Sequence, residues 1–279
     1  LNKIFLNNKT KQTIVFNENC KFENLYDLKD PSVSKIFYNC DDIWIRDYLP
    51  KIYVSGGSKR MIRYKFNAYG EKYDYKNDND FKEIFNYVSD GIDLDDFVLE
   101  GGNLEFCARG IVITNIHCIK KNNIANDMIN VEKEINRMIV KLGISELFTI
   151  NLEGIIGDDT NGHIDNLIRF IDNETIVYFA SKDESYCNYQ LACKLEKQVK
   201  DIVDRSKIIK RAIPLYHTKD DELIKNNKIY PYSKLNFIAT KDCFVFPCIN
   251  SNRESLQHDL DGLPSKIKTY VINTEAALT

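Results

Sequence analysis

The hydrophobic and polar positions along the chain repeat one order of elements. In residues 103–150, Leu104-Glu105-Phe106-Cys107 and Ile111-Val112-Ile113-Thr114 are β-like runs flanking Ala108-Arg109-Gly110, a hairpin signal. Met128, Val131, Ile135, Met138, Ile139 and Leu142 then recur at helical spacing, with Gly143 placed to stop the helix. Residues 147–150 follow as a strand. The unit reads strand, strand, helix, strand.

The order recurs. Residues 163–171 and 175–180 flank Asp172-Asn173-Glu174; Leu191, Leu195, Val199, Ile202 and Val203 predict a helix; residues 208–213 predict the closing strand. A third copy has strands at 235–239 and 244–247, a short helix near 253–260 and a strand at 269–272. An earlier copy runs 51–55, 61–66, a helix near 81–88 bearing Ile84 and Phe85, and 97–99. The opening residues, with strands near 12–16 and 35–38, look like a fifth unit short of one strand. Copies at a spacing of about 50–70 residues predict a closed cyclic array of α/β units; an ordinary mixed sheet is the alternative. The chain is expected to be a single domain over residues 1–279, with units near 1–40, 41–100, 101–152, 153–213 and 214–279.

Polar residues gather where one unit's last strand hands over to the next unit's first. Asp41 to Asp47 follow residues 35–38, Glu100-Gly101-Gly102-Asn103 follow 97–99, His163 and Asp165 follow 147–150, and Ser233 and Asn236 follow 229–232. In a ring these positions converge on the axis. One pocket would hold Asp47, Glu100, His163, Asp165 and Asn236, and its acidity predicts a cationic ligand. The densest segment is Gly157-Asp158-Asp159-Thr160-Asn161-Gly162-His163-Ile164-Asp165. If a strand begins there, His163 and Asp165 share a face, which puts a proton-transfer group beside a fixed negative charge. A loop histidine with a capping aspartate is the plainer alternative.

Composition narrows the classes. Hydrophobic residues make up 43% of 279, enough for a sizeable core, and a net charge of -3 with pI about 5.9 does not suggest a nucleic-acid partner. No apolar run of about 18 residues exists to span a membrane. The eight cysteines include no C-x-x-C pair and there are four histidines, so a structural zinc site is not expected. The cysteines read as reduced, mostly buried thiols of a cytoplasmic protein. The first residue is Leu1, so the chain is expected to start inside a longer gene product.

Asp42-Ile43-Trp44-Ile45-Arg46-Asp47-Tyr48-Leu49-Pro50, Glu100-Gly101-Gly102-Asn103, residues 157–170 and Ser233 to Phe237, in that order, resemble the agmatine deiminase and bacterial peptidylarginine deiminase family. The resemblance covers roughly residues 35 to 279. It implies a guanidino-modifying enzyme on the pentein fold, a five-bladed ββαβ propeller, in line with the repeat. By position, Asp47 and Asp165 would grip a guanidinium, His163 would be the general acid and base, and Trp44, Glu100 and Asn236 would line the pocket. Arg46 is expected to be structural, paired to a carboxylate. The implied reaction turns agmatine into N-carbamoylputrescine and ammonia through a cysteine thiouronium, with no metal or organic cofactor.

The family's nucleophile lies in a C-terminal Gly-Gly-Gly-x-His-Cys motif, expected here just beyond Thr279. Asn115-Ile116-His117-Cys118 mimics it, but Cys118 follows the second strand of its unit, away from the handover; Cys243 and Cys248 flank an internal strand. Two departures, Leu49 for the usual Gly and a loose Phe246 to Asn250 segment, bear on substrate identity. The alternatives are a deiminase of peptidyl-arginine or free arginine, and an inactive guanidinium-binding relative. Arg63, Arg109 and Arg169 all have structural readings, so no basic partner for a substrate carboxylate stands out. The expected partner is a small cationic guanidino compound; a homodimer is compatible with the sequence.

Overall fold

The computed structural model describes residues 11–16, 31, 33–55, 58–83, 91–123, 131–249, 252–264 and 268–275. Strands β1 (Gln12–Phe16) and β2 (Val33–Phe37) form a parallel pair. The next sheet holds β3 (Lys51–Ser55), β4 (Ser58–Lys65) and β5 (Gly91–Val98). Then come β6 (Leu104–Phe106), β7 (Ile111–Asn115) and β8 (Glu146–Ile150), followed by β9 (Ile168–Phe170), β10 (Thr175–Ala180) and β11 (Arg211–Tyr216). A hairpin of β12 (Leu223–Lys225) and β13 (Lys228–Tyr230) precedes β14 (Ile238–Ala239), β15 (Cys243–Cys248) and β16 (Lys268–Asn273).

Each three-stranded sheet has the same wiring. The middle strand is antiparallel to the first and parallel to the third. A parallel pair cannot be closed by a tight hairpin, so a crossover must follow the middle strand. It contains a helix each time: α1 (Lys76–Glu83), then α2 (Ile116–Asn122) with α3 (Val131–Leu142), α4 (Tyr189–Arg205) and α5 (Arg253–Asp261). The middle strands β7, β10 and β15 are buried at every residue, as expected for strands covered on both faces. In α4, Ala192, Leu195, Val199 and Ile202 form the buried stripe.

The largest core runs from β7 and β8 through β9–β11 and α4 to α5. A second joins β4, β5 and β7 to α3. A third is aromatic: Tyr48, Phe66, Tyr69 and Phe81, with ring centroids 5.5 Å apart for Phe66–Tyr69 and 5.7 Å for Tyr48–Phe66. Among the described residues no helix is long and apolar enough to cross a membrane.

The sequence periodicity located the elements and misplaced several ends. Residues 163–167 are not strand: His163 precedes a 3-10 turn at Ile164–Asn166, and pairing starts at Ile168. Residues 235–237 are likewise outside β14. The helix expected near 81–88 begins at Lys76; Ile84 and Phe85, like Met128, lie outside the described residues. The β12–β13 hairpin was not predicted, although Asn226 and Asn227, at φ 51° and 58°, are the residue type that a two-residue turn of positive φ favours.

Candidate active site

Four segments meet at one place, each just ahead of the first strand of a sheet. They are the helical turn Ile45–Tyr48 before β3, the 3-10 turn Gly101–Asn103 before β6, the turn Ile164–Asn166 before β9, and residues 233–236 before β14. Asp47, Glu100, His163 and Asp165 are all buried there.

Gly102 lets these segments close. Its N–H donates to Asp47 Oδ1 at 2.7 Å. A Cβ on it would sit 2.5 Å from His163 Nδ1, 2.6 Å from Asp47 Oδ1 and 3.0 Å from Asp165 Oδ2. Only glycine permits that approach. The His163 ring lies between two carboxylates, with Nδ1 3.6 Å from Asp47 Oδ1 and Nε2 3.0 Å from Glu100 Oε2. Asn122 Nδ2 donates to both Glu100 oxygens, at 2.7 and 2.6 Å. Arg46 Nη1 pairs with Asp165 Oδ2 and donates to Asn236 Oδ1 at 2.6 Å. Asp165 Oδ1 is buried and accepts no hydrogen bond among the described residues.

Similar side chains acquire different electrostatics here. Burial pushes the Asp47 carboxyl up to about 6; His163 and Arg46 oppose the rise, and Asp165 and Glu100 add to it. Burial would raise Asp165 too, but Arg46, His163 and Arg169 overcome it and hold that carboxyl below its ordinary value. For His163, burial would favour the neutral ring, but Asp47 and the contacts with Cys118 and Glu100 outweigh it and raise the imidazole well above 6.5. The site therefore holds a persistent imidazolium, an ionised Asp165 and a carboxyl that titrates near neutrality.

The structure corrects the placement of Cys118. Helix α2 turns back from the end of β7, so Cys118 is buried behind the site, with Sγ 3.4 Å from Glu100 Oε2 and 3.4 Å from Thr160 O. Burial and the Glu100 charge push its thiol far above the ordinary range, the wrong direction for a nucleophile. The ligand atoms of Glu100, Cys118 and His163 lie within 4.8 Å of one another, a spacing that could bracket a metal ion. Both Glu100 oxygens are already engaged by Asn122, however, and the thiol is held protonated. The seven described cysteines are all free.

The expected site residues are brought together, with differences in position. Glu100 faces His163 and Asn122 rather than an open surface, and Trp44 is 47% exposed at the rim. Arg46 is paired to a carboxylate, as expected. Arg63 pairs with Asp93, Arg109 with Glu174 at 2.9 Å and Arg169 with Glu105 at 3.0 Å. A cavity of about 710 Å3 is lined by Trp44, Lys72, Tyr73 and the acidic residues Asp41, Asp42, Glu71, Asp74 and Asp159; Asp47, Glu100, His163 and Asp165 are not in its wall. Tyr69 also lines it, and its hydroxyl reaches Asp47 Oδ2 at 3.1 Å and Asp42 Oδ2 at 2.9 Å. The sequence reading missed Tyr69 and Asn122. The one local hint for Tyr69 was Asn67 and Gly70, a turn-prone pair, beside it.

Comparison with known proteins bears on the fold and the family. An agmatine deiminase of Stutzerimonas stutzeri is 26% identical over 209 residues, 70% of this chain and 56% of its own length. A Vibrio parahaemolyticus relative is 30% identical over 167 residues, 57% of this chain and 46% of its own length. The chain thus spans about half the length of these curated relatives. A C. jejuni agmatine deiminase solved with substrate bound superposes with TM-score 0.81 at 23% identity, covering 96% of this chain and 78% of that one. A mixed α/β fold of the deiminase type is therefore shared. The profile of the Porphyromonas-type peptidyl-arginine deiminases matches residues 4–263, almost the whole sequence, and the chain belongs to that family.

Proposed function

We propose that the protein is a guanidino-group deiminase whose substrate is agmatine, built as a five-bladed ββαβ propeller with β1 and β2 as part of the fifth blade. The observation that carries the reading is the buried cluster of His163, Asp47 and Asp165, in which Asp165 Oδ1 is an acceptor without a hydrogen bond among the described residues. A planar cation set against Asp165 and Asp47 would be held by charge-assisted hydrogen bonds. Tyr69 lines the cavity and touches both His163 and Asp47, so we read the cavity as the vestibule of the site, and its five acidic residues suit a substrate with a second positive charge. Lys72, the cation on that wall, is engaged with the Asp159 carbonyl and with Asn161 Oδ1 at 3.1 Å. The wall thus favours agmatine over a substrate bearing an α-carboxylate.

In this mechanism a cysteine thiolate attacks the guanidinium carbon, and His163, already charged, protonates the departing ammonia. His163 then takes a proton from the water that hydrolyses the thiouronium. Glu100 fixes the ring through Nε2 and leaves Nδ1 on the side of Asp47. Cys118, beside His163, is not that thiolate, because burial and the Glu100 charge hold it protonated.

The test is ureido-product formation from agmatine, free arginine and a blocked arginine peptide, run in parallel on the full-length protein. The expected result is turnover of agmatine, lost by a factor of about 100 or more in His163→Ala and Asp165→Ala. Near-normal ammonia release by either variant would remove the assignment. Turnover of the peptide in preference to agmatine would transfer it to peptidyl-arginine.

A further inference from the structure

The chain runs through a left-handed turn beside the site. Ala68, Tyr69, Gly70 and Glu71 have φ of 47°, 62°, 89° and 64° in succession. Three of these residues carry a Cβ, and each such residue costs about 1–2 kcal/mol in this conformation. The turn is held by surrounding groups. Asn67 Oδ1 accepts from Gly70 N at 3.0 Å, Asn67 Nδ2 donates to Asn122 O at 2.8 Å, and Asn161 Nδ2 donates to Tyr69 O at 3.3 Å. Strain maintained this way points to a side chain that must be aimed. That side chain is Tyr69, buried to 2% exposure, its ring edge-on to His163 at 5.7 Å between centroids.

The hydroxyl of Tyr69 lies between two carboxylates, 2.9 Å from Asp42 Oδ2 and 3.1 Å from Asp47 Oδ2. A phenol has one proton to donate. Both contacts are hydrogen bonds only if a second proton is present, shared between Asp47 and the phenol oxygen. Asp47 is buried with His163, Asp165, Arg46 and Glu100 around it. Asp42 is partly exposed, lines the vestibule, and has Asp41 and Asp78 close by. Tyr69 bridges the two.

We propose that Asp47, Tyr69 and Asp42 form a proton relay that exports a proton from the buried carboxyl to the vestibule when a cation enters the site. The proposal rests on the reading of the pocket as a guanidinium site. Asp47 gives its proton to the Tyr69 oxygen as the Tyr69 proton passes to Asp42 Oδ2; Asp42 then releases it to water, leaving Asp47 charged against the ligand. No group is oxidised or reduced. Burial and both carboxylates raise the Tyr69 phenol, so it relays by exchange and not by standing as a phenolate.

The chain has one tryptophan, Trp44, on the vestibule wall, so ligand entry and proton release can be timed separately. Agmatine is mixed with the protein near pH 6, where Asp47, raised to about 6, is about half protonated. Trp44 fluorescence and a pH-indicator dye are followed in the same stopped-flow shot. In the wild type, release should keep pace with the Trp44 signal. In Tyr69→Phe and in Asp42→Asn, release should lag it roughly tenfold or more, and a small diffusible buffer such as imidazole should partly restore the rate. Asp42→Asn keeps Tyr69 in place, so a defect shared by both variants separates a relay from a packing role. Release at the wild-type rate in either variant, or a Trp44 response without release in the wild type, overturns the relay alone. No Trp44 response to agmatine overturns the pocket reading and the relay with it.

Discussion

Asp47 and Asp165 have the same side chain and opposite tendencies, and the difference lies in their neighbours. Arg46 is paired with Asp165, whereas Asp47 receives a backbone N–H from Gly102. Asp47, raised to about 6, must be ionised to hold a cation, so agmatine affinity should weaken as pH falls below about 6 and level off above it. Titration calorimetry across that range checks the sign. Asp47→Asn should bind weakly and lose most of the pH dependence. Gly102→Ala should abolish ligand binding, since its methyl would overlap His163 and Asp47. Normal agmatine binding by Gly102→Ala would contradict the site geometry. At this scale the sequence was informative where candidate residues sit in one short segment, as with His163 and Asp165, which the fold brings to one place. It could not show Tyr69 or Cys118, whose positions depend on how a left-handed turn and α2 return toward the site.

Elements were legible where the apolar positions form a helical stripe or an unbroken buried run. Helix α4 and strand β10 are such cases, one with a stripe of four buried residues and the other buried throughout. Legibility fails at 163–167 and 235–237, the handover segments themselves. There the chain leaves the extended form because side chains find partners in other units: Ser233 Oγ donates to Asn166 O at 2.7 Å, and Asn236 Nδ2 donates to Asn166 Oδ1 at 3.3 Å. Local pattern carries no record of such partners. The Ala68–Glu71 turn makes its own prediction. Glu71, exposed at φ 64°, is strained, and Glu71→Gly should gain about 0.5 kcal/mol once the extra backbone entropy of glycine is offset. Thermal unfolding should show a midpoint about 1–2 °C higher; a lower midpoint would mean that the Glu71 side chain makes a stabilising contact.

For the molecule as a whole, the acidic cavity should set how a cationic ligand arrives if it is the vestibule proposed above. Five carboxylates around the opening should speed the approach of a dication, and salt should screen them. The association rate of agmatine, read from Trp44, should fall steeply between low and physiological ionic strength. That of guanidinium, with a single charge, should fall less; equal slopes would show that the vestibule carboxylates do not steer. The contact between Arg46 and Asn236 joins residues 190 apart in sequence, and Asp165 meets Arg46 across 119. Contacts of that span close only after the loops between them have lost their freedom, which makes them late and slow to form. The site should thus be among the last features to appear on refolding. Ligand capture would lag secondary structure, and a nascent chain would bind nothing until the segments carrying Arg46 and Asn236 had met.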